Sequence, residues 1–122
     1  MRKNPIRETF RKEERIRKKK ELERAFTSSI AVGCKGAKLL YRENGLKLNR
    51  MAVILPKKFG KAVKRNREKR IAREIFRKTK HLLRPGHDII FILYPGEYDH
   101  GERKEQFFTL YRKAKLLSGV YK

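Results

Sequence analysis

The sequence predicts an α+β fold: a four-stranded mixed sheet with helices packed on it, in the order α-β-β-β-α-β-α, behind a basic N-terminal arm. Three observations predict it. Apolar and polar side chains alternate with a period of two through 37–43 and 46–55, on either side of Asn44-Gly45. His87 to Tyr94, HDIIFILY, is a nearly continuous apolar run of strand length. Ile71, Ala72, Ile75, Phe76, Thr79 and Leu83, and later Phe107, Leu110, Tyr111, Ala114 and Leu117, recur at helical spacing.

In chain order, Met1 to Lys20 mixes Arg, Lys and Glu around Pro5, with Ile6, Phe10 and Ile16 as its apolar content, and predicts an arm that is disordered or a frayed helix when free. Residues 21–122 form the single domain. Leu22, Ala25 and Phe26 mark a short helix with a narrow apolar stripe, broken by Thr27-Ser28-Ser29. Ile30 to Val32 gives a brief edge strand. Ala37 to Glu43 is a fuller one, with Ala37, Leu39 and Tyr41 on one face and Lys38, Leu40 and Arg42 on the other. Asn44-Gly45 then predicts a hairpin turn, since both residues tolerate positive φ, and Leu46 to Leu55 returns until Pro56 stops it. Arg84-Pro85-Gly86 ends the helix that follows, the apolar run 87–94 is a central strand, and a strand-helix-strand order implies parallel pairing. The last helix carries Glu102 and Glu105 early and Lys113 and Lys115 late, in agreement with the helix dipole.

Composition bounds the function. The 122 residues carry 35 Lys and Arg against 13 Asp and Glu, a net charge of +22, which is the footprint of a protein that binds a polyanion. No apolar run approaches the ~20 residues needed to span a bilayer. The single cysteine, Cys34, excludes an internal disulfide and a Cys-based zinc site and fits a reducing cytoplasm. Neither a signal peptide nor an acid-poor transit peptide is legible at the N-terminus.

The charge is concentrated. Lys57 to Lys80, KKFGKAVKRNREKRIAREIFRKTK, holds twelve bases against Glu68 and Glu74, leaving +10 of the +22. As a helix it places the apolar set on one side and Asn66, Arg70, Arg73 and Arg77 on the other. Lys64, Arg65 and Glu68 fall where apolar residues would be needed for burial, so the first two turns are expected to project past the core. Lys57, Lys58, Lys61 and Lys64 crowd a helix start that prefers anions, as befits a surface whose negative charge comes from a phosphate backbone.

These residues resemble the bacterial ribonuclease P protein component. The family signature is an Arg-Asn-Arg helix entered from a Lys-Lys-x-Gly-x-Ala-Val turn. Here Lys57-Lys58-Phe59-Gly60-Lys61-Ala62-Val63 leads into Arg65-Asn66-Arg67, then Lys69-Arg70 and Arg73, and a looser likeness runs from Arg15 to Leu117. The resemblance implies a left-handed βαβ crossover, where physical reasoning alone expects a right-handed one. It implies a protein that binds the ribonuclease P catalytic RNA and the single-stranded 5′ leader of precursor tRNA, while that RNA, using Mg2+ held mainly by itself and the substrate, removes the leader. Lys57, Lys58, Lys61, Lys64, Arg65, Asn66, Arg67, Lys69, Arg70 and Arg73 would contact RNA, and Phe26 and Tyr41 would stack in a leader groove between the first helix and the sheet. The expected address is the cytoplasm, with no membrane and no obligate protein partner. Two departures stand out: Lys19 and Lys20 occupy the cap region of the first helix, with Leu22 replacing an aromatic, and Ala52, Ile54 and Pro56 stand where the family has small or hydroxylated residues.

The chain itself shows no catalytic set. Of His81, His87, His100, Asp88 and Asp99, His87-Asp88 opens a strand, where alternation sends the two side chains to opposite faces, and His81 lies at a helix end where its charge suits the dipole. Gly60-Lys61 lacks the flanking residues of a P-loop, and no His or acid pair has metal-ligand spacing. The protein alone is expected to be inactive. The other reading that the bases allow is a small basic ribosomal or ribosome-assembly protein without turnover; a DNA-binding role lacks any helix-turn-helix spacing.

Overall fold

A computed structural model of the chain describes residues 10–118. Strands β1 (Ile30–Cys34), β2 (Ala37–Glu43), β3 (Arg50–Ile54) and β4 (His87–Leu93) form one sheet in the order β1-β2-β4-β3, and helices α1 (Lys19–Ser28), α2 (Ala62–Thr79) and α3 (His100–Lys113) pack on it. The sheet is mixed, because β4 pairs antiparallel with β2 and parallel with β3. β4 occupies an inner position because both its faces are apolar: Ile89, Phe91 and Leu93 meet α2 and α3, while Ile90 and Ile92 belong to the opposite face.

The Asn44-Gly45 hairpin does not form. β2 turns back from β1 through Lys35-Gly36 and pairs on its other side with β4, so β2 and β3 are not neighbours in the sheet. Gly45 has the expected positive φ of 73°, yet Asn44 closes a side-chain turn instead. Its Oδ1 accepts from the Leu46 N–H at 2.8 Å, and its amide donates to the Leu48 carbonyl at 3.2 Å and to Asp88 at 3.0 Å. The predicted strand over 46–55 therefore shortens to Arg50–Ile54. Buried Asn49 ties this loop down, donating to the Arg84 carbonyl at 3.0 Å and accepting from the His87 N–H at 2.8 Å.

The larger core lies between the sheet and the pair α2 and α3. Phe91 stacks on Phe107 with ring centroids 4.1 Å apart, and Phe76 and Tyr111 meet Phe91 edge-on, both at 6.3 Å. The buried hydroxyls of Thr79 and Tyr111 satisfy each other at 2.8 Å. On the opposite face Ala25 of α1 and Ile16 cover Leu40 and Ile90, with Leu22, Ala52, Ile54 and Ile92 half-buried around them. At one end of this face Arg50 bonds Asp88 through two nitrogens, each at 2.9 Å, and Glu21 of α1 at 3.3 Å.

Residues 10–18 do not form the disordered or frayed-helical arm that their composition predicts; residues 1–9 of that arm lie outside the described residues. The segment wraps the β3 edge. Phe10 meets Phe76 edge-on at 5.8 Å, Glu14 pairs with Lys80 at 2.6 Å, and the Ile16 N–H donates to the Met51 carbonyl at 3.0 Å. The sparse apolar residues of this segment act as anchors into both cores, which local composition does not reveal.

Candidate nucleic-acid interface

Pro56 ends the strand region, and Lys57–Phe59 makes a single 3-10 turn whose Phe59 is buried. Gly60 follows at φ 142° and ψ −166°, a conformation that side chains oppose, and redirects the chain so that α2 starts at Ala62. The spacing of the Lys-Lys-x-Gly-x-Ala-Val turn is thus a buried anchor, a glycine hinge and a helix start. Lys57, Lys58, Lys61 and Lys64 surround that start in exposed positions. The start carries no acidic residue in its first turn and no side-chain cap, so its free N–H groups face outward among cations.

Asn66, Arg67, Arg70 and Arg73 are exposed along α2, and Lys69 is half-buried. Arg65 is held differently: Nη1 donates to the Pro56 carbonyl at 2.7 Å and Nη2 to the Leu55 carbonyl at 3.3 Å, bracing the turn against the helix. Only the first turn projects freely, with Val63 83% exposed. The second turn does not project as expected, because Glu68 finds a buried partner.

That partner is Arg103 of α3, whose Nε donates to Glu68 Oε1 at 3.0 Å and whose side chain is fully buried. Its remaining nitrogens donate to the carbonyls of Gly36 and Tyr94 and to Gln106 Oε1, each at 2.9 Å, and its guanidinium lies 4.7 Å from the Tyr98 ring centroid. Glu74, the other acid of α2, faces His100 of α3 at 3.2 Å and Arg77 at 4.0 Å. Both acids are drawn toward α3. The outward side is left with bases alone.

Phe26 and Tyr41 are not brought together. Phe26 lies on α1, one turn after Leu22, and is 43% exposed. Tyr41 shares the face of Ala37 and Leu39, packs against the larger core, and meets His87 edge-on at 6.4 Å. The two rings therefore lie on opposite faces of the sheet, and the groove beside α1 is floored by Leu22, Ala52, Ile54 and Ile92 instead. The alternation along β2 already separates Tyr41 from Leu40, the residue that α1 covers.

The His–carboxylate pair that the fold does assemble, His100 with Glu74 at 3.2 Å, joins two exposed side chains. Asp88 is committed to Arg50 and Asn44, and although burial alone would raise its pKa, those hydrogen bonds and the Arg50 charge hold the carboxyl below its usual range. The described residues do not include three His, Cys, Asp or Glu side chains grouped to hold a metal. None of their helices is long and apolar enough to cross a membrane.

Sequence reasoning missed Arg103, although a signal exists. Arg103 precedes Phe107, Leu110, Tyr111 and Ala114 on one stripe, and Glu68 precedes Ala72, Ile75, Phe76 and Thr79 on another. An acid and a base, each standing on an apolar stripe, are candidates for a buried pair.

The fold and this surface define a small α+β protein with a one-sided cationic helix, suited to binding a polyanion. A family model described as Ribonuclease P matches residues 10–115, and the chain belongs to this family. It is 36% identical over 111 residues to the ribonuclease P protein component of Thermotoga maritima, covering 91% of this chain and 92% of that one. Identity to the same component of Caldanaerobacter subterraneus is 34% over 104 residues, with 84% and 90% covered. The fold is similar to the solved Thermotoga maritima RNase P protein, with a TM-score of 0.73, 30% identity, and 82% of this chain and 96% of that chain covered. It is also similar to a mutant RNase P protein of Staphylococcus aureus, with a TM-score of 0.81, 25% identity, and 87% and 92% covered. The chain is an RNase P protein subunit, and nothing in these comparisons supports the ribosomal alternative.

Proposed function

We propose that the outward face of α2 binds the catalytic RNA of ribonuclease P, and that the groove between α1 and the sheet holds the 5′ leader of precursor tRNA. The observation that carries this reading is the disposition of charge on α2: Glu68 and Glu74 are engaged by Arg103 and His100, while Lys57, Lys58, Lys61, Lys64, Asn66, Arg67, Arg70 and Arg73 stay exposed. Guanidinium groups take phosphates bidentately, and the open helix start adds N–H donors. Lys69 contributes charge from its half-buried position, and Arg65 serves mainly to brace the turn that presents the others. In the groove Phe26 offers a ring beside an apolar floor, and stacking there grips unpaired bases without reading sequence.

Cleavage belongs to the RNA in this account. The protein lowers repulsion between two polyanions and fixes the leader in place, and the Mg2+ that cleavage needs is held by RNA. The setting is the cytoplasm. The test is reconstitution: catalytic RNA and precursor tRNA at limiting Mg2+, with and without the protein. The protein should lower the Mg2+ needed for cleavage and strengthen precursor binding over mature tRNA, while the chain without the RNA should release no leader. Leader release by the chain alone, or no effect on the RNA-catalysed reaction, refutes the reading.

A further inference from the structure

Between residues 10–17, β3, α1 and α2 the surface opens into a cleft of about 350 Å³. Leu22, Ala52 and Ile54 give it an apolar floor, and Arg15, Arg17 and Arg73 stand around it. Among the described residues none of these three guanidinium groups pairs with a carboxylate. The adjacent acids are already committed, Glu14 to Lys80 at 2.6 Å and Glu21 to Arg50 at 3.3 Å.

Arg15 is held, not loose. Its Cζ lies 4.8 Å from the Phe10 ring centroid, Phe10 rests edge-on against Phe76 of α2, and the next residue donates its N–H to Met51. The N-terminal segment thus delivers a fixed cation to a helix that is already cationic. Arg73 registers the approach: burial, and then the charge of Arg15, lower its pKa from the ordinary arginine value. Like charges gathered around a cleft without an acid repel one another in the free protein, and an anion seated among them relieves that repulsion.

We propose that Arg15, Arg17 and Arg73 form one subsite for a phosphodiester of an RNA backbone, with the N-terminal segment supplying the cations that α2 alone lacks. Two or three guanidinium forks can share one phosphate, and the apolar floor suits the sugar or base of the neighbouring nucleotide. The inference rests on the RNA-binding reading above and extends it to Arg15 and Arg17, which lie outside the Lys57–Arg73 motif. The phosphodiester comes either from the catalytic RNA or from the precursor leader, and the two are distinguishable.

The experiment compares wild type, Arg15→Gln, Arg73→Gln and the double variant. Glutamine keeps part of the stem that packs on Phe10 and removes the charge. Affinity is measured against KCl concentration for catalytic RNA alone, and for the assembled holoenzyme with precursor and with mature tRNA. In one of these arms the double variant should flatten the plot of log affinity against log salt by about 0.7, the equivalent of one single-stranded phosphate. Each single variant should already lose most of that, because both residues serve the same phosphate. Flattening with catalytic RNA alone assigns the phosphate to that RNA; flattening confined to precursor tRNA assigns it to the leader. Unchanged slopes in every arm, or single losses that multiply independently in the double variant, overturn the proposal.

Hydrogen exchange at the Ile16 amide reports whether the segment stays docked, and Arg15→Lys separates charge from docking. If Arg15→Lys loses as much slope as Arg15→Gln, the cation is not what binds and the proposal falls. Stimulation of RNA-catalysed cleavage by the wild-type chain in the same preparation tests the broader reading independently of this subsite.

Discussion

Replacing Arg103 with methionine should cost far more stability than its place on a cationic protein's surface helix would imply. The guanidinium is fully buried and serves four acceptors: Glu68, Gln106 and the carbonyls of Gly36 and Tyr94. Methionine fills much of the volume but leaves Glu68, 5% exposed, without a cation and takes a donor from the Tyr94 carbonyl, while the Gly36 carbonyl keeps the Tyr94 N–H at 3.0 Å. Removing one member of a buried pair costs about 3–5 kcal/mol, a fifth or more of the ~5–15 kcal/mol that holds a domain together. At ~3–5 °C per kcal/mol for a domain of this size, the melting temperature should fall by about 9–25 °C. Thermal unfolding followed by far-ultraviolet circular dichroism measures the loss. The double variant Arg103→Met with Glu68→Leu should recover part of it, since no buried charge is then stranded, though the Tyr94 carbonyl still lacks the donor that Arg103 supplied. A single-variant loss under ~1 kcal/mol, or a double variant no better than the single, would refute the reasoning that this pair locks α2 to α3.

Three further outcomes follow from the site. Arg70→Ala changes an exposed residue on a well-formed helix, so stability should move by less than ~0.5 kcal/mol, while affinity for the catalytic RNA falls and its salt slope flattens by about 0.7–0.9; equilibrium binding over a range of KCl checks both. Phe26→Ala should weaken precursor tRNA relative to mature tRNA by about 1–3 kcal/mol per stacked base, whereas Tyr41→Ala should lower thermal stability and leave that discrimination intact. Asp88 has a folded pKa below its unfolded value near ~3.9, so its contribution to stability is present above about pH 4 and is lost as pH falls through the folded value; urea midpoints from pH 5 to 3 should drop less steeply for Asp88→Asn than for wild type.

The helices and the apolar strand were legible because their patterns report burial directly. β4 reads as a central strand from its two apolar faces, and it is one. Asn44-Gly45 reads as a hairpin, and here a local preference lost to a non-local one: β2 gains more by pairing with β4, which has apolar residues for both faces, than by pairing with β3. Asn44 then satisfies its loop with its own side chain. Tyr41 stands apart from Phe26 for a different reason. The resemblance points to a groove aromatic, but the alternation along β2 puts Leu40 beneath α1 and Tyr41 on the far face. The cationic side of α2 was visible as a charge excess, while the fate of Glu68 and Glu74 depended on α3, some thirty residues away along the chain.

The place of β4 between β2 and β3 has a consequence for how the chain is made. β2 and β3 are joined in the sheet only when residues 87–93 arrive to bridge them, although β3 ends at Ile54. At ~5–20 residues per second, a ribosome adds those 39 residues in roughly 2–8 s, during which both strands present open edges. The intervening α2 emerges in that interval with its apolar stripe uncovered and its cations already accessible. Closure of the sheet therefore waits on the last strand in the sequence, and a nascent chain stalled before His87 has the β1–β2 ladder but nothing to join β3 and its cationic helix to it.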